Sequence, residues 1–137
     1  MITHEKQSTA CFAITSMTDV IIARREGREL ALALGFRLAD ATRIAVVISE
    51  LARNILLYAN TGTITVSRCG EGRVGVRVVA EDEGPGIEDV DRVLAGGYST
   101  SRGLGVGLSG SKNLVDEFSV RSRVGKGTTI VAVKWLR

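Results

Sequence analysis

The sequence predicts an α+β two-layer sandwich, in which a mixed, largely antiparallel sheet carries its helices on one face. Three observations lead there. GTITVSRC with VGVRVVAE, and FSVRSR with TTIVAVKWL, are two pairs of strand-like segments, each pair joined by a short glycine-containing turn, as in hairpins. Two long segments ahead of the first pair place their apolar residues at helical spacing. The 137 residues are 45% hydrophobic and 24% charged, a globular balance for one core, so a single domain over 1–137 is expected.

Taken in order, residues 1–8 lack an apolar run and are expected to be flexible. TACFAIT, from 9 to 15, reads as a first strand, with Ser16 or Thr18 placed to cap the helix that follows. Val20, Ala23, Leu30, Ala31 and Leu34 form that helix's apolar stripe, Arg24, Arg25 and Arg28 lie on its other side, and Gly35 stands where a C-terminal cap belongs. A second helix is expected from about Asp40 to Ala59, with Ile44, Val47, Ile48, Leu51 and Ile55 as its buried stripe. After the first hairpin come a short helix near Asp89–Leu94 and a Gly- and Ser-rich lid over 96–107. A helix over Leu108–Glu117 and the closing hairpin follow.

The formal charge is +3 and the pI about 9.2. The total hides a profile, because residues 81–91, EDEGPGIEDVD, hold six acids and no base, while the bases dominate 92–137. Basic runs with interleaved aromatics are absent and aromatics are only 4%, so a nucleic-acid groove is not expected. No apolar run is long enough for a membrane span, and the first residues lack a signal-peptide core. Cys11 and Cys69, far apart and without a neighbouring His, fit neither a zinc site nor a disulfide scaffold. They read as reduced core thiols of a cytoplasmic protein.

Four places carry residues suited to chemistry. Glu50 and Asn54, in SELARN, are four apart on the second helix and share a face at the rim of its apolar stripe, as a general base and a metal ligand would. Asp82 closes a strand and is followed by Glu83-Gly84-Pro85-Gly86, where the glycines let backbone approach a flat ligand. The acids around Asp82 repel phosphate, so Asp82 is expected to face a base or sugar, with phosphates nearer the bases of 92–137. Gly103-Leu104-Gly105-Val106-Gly107-Leu108 leads into a helix whose first amides suit anions, with Arg102 and Lys112 close in sequence. Gly125-Lys126-Gly127-Thr128 joins the last two strands. Ser99, Thr100 and Ser101 are read as a polar lid, with phosphate contact or modification as the other reading.

Decoys fall away. Gly105-x-Gly107-x-x-Gly110 matches a dinucleotide fingerprint but follows a Gly/Ser loop, and no acidic residue occurs after Glu117. GLSGSK lacks the glycine that precedes Lys in a P-loop, and neither HRD nor DFG occurs.

In order, SELARN, EDEGPGI, GLGVGL and GKGT resemble the four boxes of the Bergerat, or GHKL, ATP-binding superfamily. VISELARNILLYA, AEDEGPGI, GYSTSRGLGVGL, VDEFSV and VKWLR narrow the resemblance to the RsbT-type switch serine kinases, over most of 10–137. The resemblance implies ATP and magnesium, with Glu50 as catalytic base and Asn54 as magnesium ligand. Asp82 would accept from the adenine amino group, with Gly84 and Gly86 beside the base. Gly103, Leu104, Gly105, Val106, Gly107 and Leu108 would turn around the phosphates, and Thr128 would support Asp82. It implies phosphorylation of a serine on an RsbS-like STAS-domain antagonist, held in a stressosome scaffold. Release would then allow activation of an RsbU-like PPM-type phosphatase or another output enzyme. An anti-sigma factor kinase of the RsbW/SpoIIAB type, or a mainly non-catalytic ATP-dependent binding switch, are the other readings. A sensor histidine kinase is disfavoured, because the one His, His4, is at the terminus.

Overall fold

The computed structural model describes residues 9–95 and 104–137. Its elements are β1 (Thr9–Ile14), α1 (Met17–Ala33), α2 (Leu38–Tyr58), β2 (Gly62–Cys69), β3 (Gly75–Asp82), α3 (Val90–Leu94), α4 (Leu104–Leu114), β4 (Glu117–Arg123) and β5 (Gly127–Trp135). The expected flexibility of residues 1–8 and the lid residues 96–103 lie outside the described residues.

The five strands form one sheet in the order β1-β2-β3-β5-β4. Every neighbouring pair is antiparallel, which corrects the expectation of a mixed sheet. The reason is where β5 goes. β3 and β4 run the same way and would pair in parallel if adjacent, but the β4–β5 hairpin folds back so that β5 enters between them.

Alternation then sorts each strand into two faces. Phe12, Ile64, Ala80, Ile130 and Val120 form one row across all five strands, and Ala10, Val66, Val78, Ala132 and Phe118 the next. These rows lie under the helices. The core they build with Ile44, Val47, Ile48, Leu51 and Ile55 of α2 is nearly water-free, Ile48, Leu51, Ile64 and Val66 all being fully buried. Burying each such side chain stabilises the fold by about 1.5–3 kcal/mol. α1 packs on α2, and α4 on both α2 and α3.

Local signals set the helix ends. Ser16 Oγ caps α1 by accepting from Asp19 N at 3.4 Å. Asp19 Oδ2 reaches back to accept from Thr15 N at 2.9 Å and Thr15 Oγ at 2.8 Å, and these bonds hold its carboxyl below the ordinary range. Gly35, at φ +103°, ends α1 as the sequence predicts. Its N–H bonds Leu32 O, and Phe36 N bonds Ala31 O, the paired closure that a left-handed residue permits. α4 starts at Leu104, four residues before the expected start, and stops at Leu114, because Glu117 is already the first residue of β4.

The opposite face of the sheet carries no helix among the described residues. Cys11 is exposed there, across from Thr65, whose hydroxyl lies 3.5 Å from the sulfur, and Cys69 is partly buried beside Gly75. Both thiols are free, as expected, but neither is in the core, because the strand period turns them to the bare side. Burial raises the Cys69 thiol above its ordinary value. At one corner, Asp116 Oδ2 accepts from Trp135 N at 2.7 Å and Glu117 Oε2 accepts from Trp135 Nε1 at 2.6 Å. The Arg73 guanidinium stacks 3.6 Å above the indole centre, and Arg137 pairs with Asp116.

Candidate functional site

The site lies where α2, α4, the end of β3 and the start of β5 converge. α2 supplies Glu50, Asn54 and Tyr58, each one turn beyond the last, so all three present toward α4 and the sheet end. Asn54 and Tyr58 line a small cleft with Asp82, Ile87, Leu108 and Thr128, and Pro85, Gly86 and Ile130 complete its walls. Its walls are mostly apolar with few polar atoms, a surface suited to a flat, weakly polar ring.

Gly107 of α4 faces Glu50 and Asn54 directly. A Cβ there would come 3.2 Å from Glu50 Oε2 and 3.8 Å from both Asn54 side-chain atoms. The glycine therefore holds open the space in front of the carboxylate and the amide. Glu50 keeps a third of its side chain exposed and has Arg53 at 3.4 Å on its other oxygen. Among the described residues, Asn54 Nδ2 is buried without a hydrogen-bond partner, as is Ser111 Oγ one turn beyond Gly107. A buried donor left unsatisfied costs about 1–3 kcal/mol, so the Asn54 NH2 fits an acceptor oxygen that a ligand such as a phosphate would supply.

Asp82 and Thr128 are direct cross-strand partners. Asp82 Oδ1 accepts from Gly84 N at 2.9 Å, which fixes the carboxylate and leaves Oδ2 to accept from something else. Thr128 can sit there because Gly127 precedes it. At φ +129°, a Cβ on Gly127 would lie 2.1 Å from Asp82 O, so only glycine lets β5 start this close to the end of β3. Gly84 and Gly86 have a reason of the same kind. A side chain on Gly84 would strike Ala59, and one on Gly86 would strike the Arg123 carbonyl, so these glycines close the loop against the protein itself. Of the two, Gly86 lines the cleft.

Ser122 is a residue that motif reading missed. It stands opposite Thr128 on β4, and the two hydroxyls are 2.8 Å apart. Its Oγ also accepts from Ile87 N at 2.6 Å and lies 3.2 Å from Gly127 O. One small side chain thus ties the glycine loop, the last turn and Thr128 together. Tyr58, Ile87 and Ile130 were missed too; only Tyr58 carried a signal, its spacing of four from Asn54.

Leu104, Gly105 and Val106 form the first turn of α4, Leu108 is fully buried at the cleft, and Gly103 lies outside the described residues together with Arg102, Ser99, Thr100 and Ser101. The expected separation of charge is only partly spatial. Arg121, Arg123 and Lys126 border a wider depression of about 600 Å³ that Asp82 and Thr128 also line, so these bases stand at the Asp82 end. The hairpin folds them back there. No described cluster of three or more His, Cys, Asp or Glu side chains is arranged to hold a metal. A metal here would take protein oxygen from Asn54 and the rest from phosphate or water, a donor set that suits magnesium.

Residues 39–137 match the family model of histidine kinase-, DNA gyrase B- and HSP90-like ATPases. The chain belongs to this family. It is 50% identical over 129 residues to the serine/threonine-protein kinase RsbT of Bacillus subtilis, covering 93% of this chain and 97% of that one. It is also 32% identical over 106 residues to an anti-sigma F factor of Anoxybacillus flavithermus, covering 72% of each. The relationship places it with the RsbT-type serine/threonine-protein kinases, ATP-dependent enzymes of the GHKL fold. Among solved structures, the RsbU and RsbW domains of Rv1364c from Mycobacterium tuberculosis share the fold at TM-score 0.64 and 20% identity. The match covers 93% of this chain and a third, 33%, of that one. The SiaB–SiaC complex of Pseudomonas aeruginosa shares it at TM-score 0.59 and 17% identity, over 96% of this chain and 92% of that one. No helix among the described residues is long and apolar enough to cross a membrane.

Proposed function

We propose that this kinase transfers the γ-phosphoryl group of ATP to a serine of an RsbS-like STAS-domain antagonist, inside a cytoplasmic partner-switching module with a stressosome scaffold. Once released, it engages an RsbU-like PPM-type phosphatase or another output enzyme. The observation that carries the reading is the open space that Gly107 leaves in front of Glu50 and Asn54. Phosphoryl transfer is chiefly positioning and charge neutralisation, and needs a base near the attacking hydroxyl rather than a covalent intermediate.

Each residue has one task. Glu50, partly exposed at the mouth of that space, accepts the serine proton. Asn54 offers its amide oxygen to magnesium, which when bound would neutralise phosphate charge. Asp82, fixed by Gly84 N, accepts from the adenine amino group through its remaining oxygen, while Thr128 and Ser122 hold the opposite wall. Leu108, Ile87 and Ile130 exclude water from the faces of the base. The first amides of α4 face the phosphates. The relation to RsbT is both more similar and more complete than that to the anti-sigma F factors, which supports the antagonist kinase over the anti-sigma reading.

The test is transfer of label from γ-labelled ATP to a purified STAS-domain protein by wild type and Glu50→Ala. Loss of transfer with ATP binding retained is expected. Unimpaired transfer removes Glu50 from the reaction.

A further inference from the structure

We propose that Arg53 is a positioning residue for Glu50, engaging one carboxylate oxygen so that the other is presented to the reacting hydroxyl. The inference rests on the phosphoryl-transfer reading and adds a residue of SELARN to which that reading gives no task. The two oxygens of Glu50 have different surroundings. Oε1 lies 3.4 Å from the Arg53 guanidinium. Oε2 is the atom that a Cβ on Gly107 would approach to 3.2 Å. One oxygen is thus engaged by a cation, and the other faces the open space.

Helical spacing on α2 produces this split. At about 100° per residue, Arg53 stands about 60° to one side of Glu50 and Asn54 about 40° to the other. Gly107 is on the Asn54 side, since its missing Cβ would also lie 3.8 Å from both Asn54 side-chain atoms. The carboxylate therefore reaches from the cation on one flank to the reaction space on the other. Among the described residues, Arg53 is the ion-pair partner that Glu50 has. The Arg53 side chain is 47% exposed and that of Glu50 33%, and a pair this open to water adds little to stability. Its consequence is directional. A lone Glu has three side-chain torsions and several staggered rotamers, so its carboxylate is free to leave Gly107. A general base acts only within hydrogen-bond reach of the proton it takes. A cation that narrows those rotamers raises the fraction of bound complexes ready to react, without itself touching either substrate. The Arg43–Asp40 pair, 2.8 Å long and also exposed, is the comparison on the same helix, with Arg43 about two turns before Glu50.

The test is transfer of label from γ-labelled ATP to a purified STAS-domain protein, with both concentrations varied and ATP affinity read by calorimetry. Wild type, Arg53→Ala, Arg53→Lys, Arg43→Ala and Glu50→Ala are compared, each shown to be folded by thermal melts. Arg53→Ala is expected to lower kcat about fivefold or more while KM for both substrates and ATP affinity stay at wild-type values. Arg53→Lys recovers most of that loss, because the contact is made by one guanidinium nitrogen and an ammonium can replace it. Arg43→Ala changes neither kcat nor KM. A wild-type kcat in Arg53→Ala overturns the inference. So does a rise in either KM, which makes Arg53 a substrate contact, or a loss that Arg53→Lys fails to recover. The Glu50→Ala arm separates two failures. Inactive Glu50→Ala beside unimpaired Arg53→Ala strikes this inference alone, whereas unimpaired transfer by Glu50→Ala strikes the reading beneath it.

Discussion

Gly107 stands in front of Glu50, and the one atom it lacks would lie 3.2 Å from the carboxylate oxygen. Helix preference favours alanine over glycine inside α4 by about 1 kcal/mol, so the glycine runs against local stability. Gly107→Ala is therefore expected to melt no lower than wild type while phosphoryl transfer falls about tenfold or more, a loss of at least ~1.4 kcal/mol in transition-state binding. Thermal melts beside a labelled-ATP assay separate the two; a variant that transfers at the wild-type rate shows that the space is not used.

Asp82 offers one oxygen inward to Gly84 N and the other outward. In Asp82→Asn the oxygen can keep Gly84, but an NH2 group then points at the ligand. ATP affinity is expected to fall by about ten- to a hundredfold, the cost of an unmet buried donor. Inosine triphosphate, with a carbonyl where adenine has its amino group, is expected to lose less or to gain. Calorimetry with both nucleotides reads the ratio, and an unchanged ratio refutes the adenine contact.

Ser122→Ala removes the hydroxyl shared by Ile87 N, Thr128 Oγ1 and Gly127 O. Stranding these groups costs about 1–3 kcal/mol. Both stability and nucleotide affinity are expected to drop, while Ser119→Ala, on the bare face of the same strand, changes neither. Equal melting temperatures and affinities for Ser122→Ala and wild type would falsify the tie.

Burial pushes the Asp116 carboxyl up, but the Trp135 N–H and Arg137 outweigh it and hold the group below its ordinary 3.8. A depressed carboxylate contributes stability that is whole above the unfolded value and is lost as pH falls through the folded one. The gap in melting temperature between wild type and Asp116→Asn is therefore expected to be constant above about pH 5 and to close below about pH 4. A gap that stays constant down to pH 3 contradicts this assignment.

The strands, the two long helices and the four boxes were legible because each rests on a local signal: period two, period 3.6, or glycine at a fixed spacing. Ile48 and Leu51 announce a buried stripe, and Gly35 announces its cap. What was not legible depends on which strand lies beside which. Nothing near Ser122 says that it will stand opposite Thr128, since that follows from β5 pairing on both sides. The same insertion removed the parallel contact expected of a mixed sheet. It also brought Arg121 and Arg123 to the Asp82 end, where a linear charge profile put only acids. Cys11 was taken as core because cysteine usually is, yet its odd place in the strand alternation points it outward.

The position of β5 also has a consequence for the order of events during synthesis. A chain made from its amino end presents β3 and Asp82 well before residues 127–135, yet the wall that Thr128 builds against Asp82 comes only with them. Until β5 pairs with β3, the nascent chain has the helix bearing Glu50 and Asn54 but lacks the Thr128 and Ile130 walls of the cleft. On the proposed adenine role of Asp82, a chain truncated before β5 would therefore keep Glu50 and Asn54 but lack the Thr128 side of the cleft.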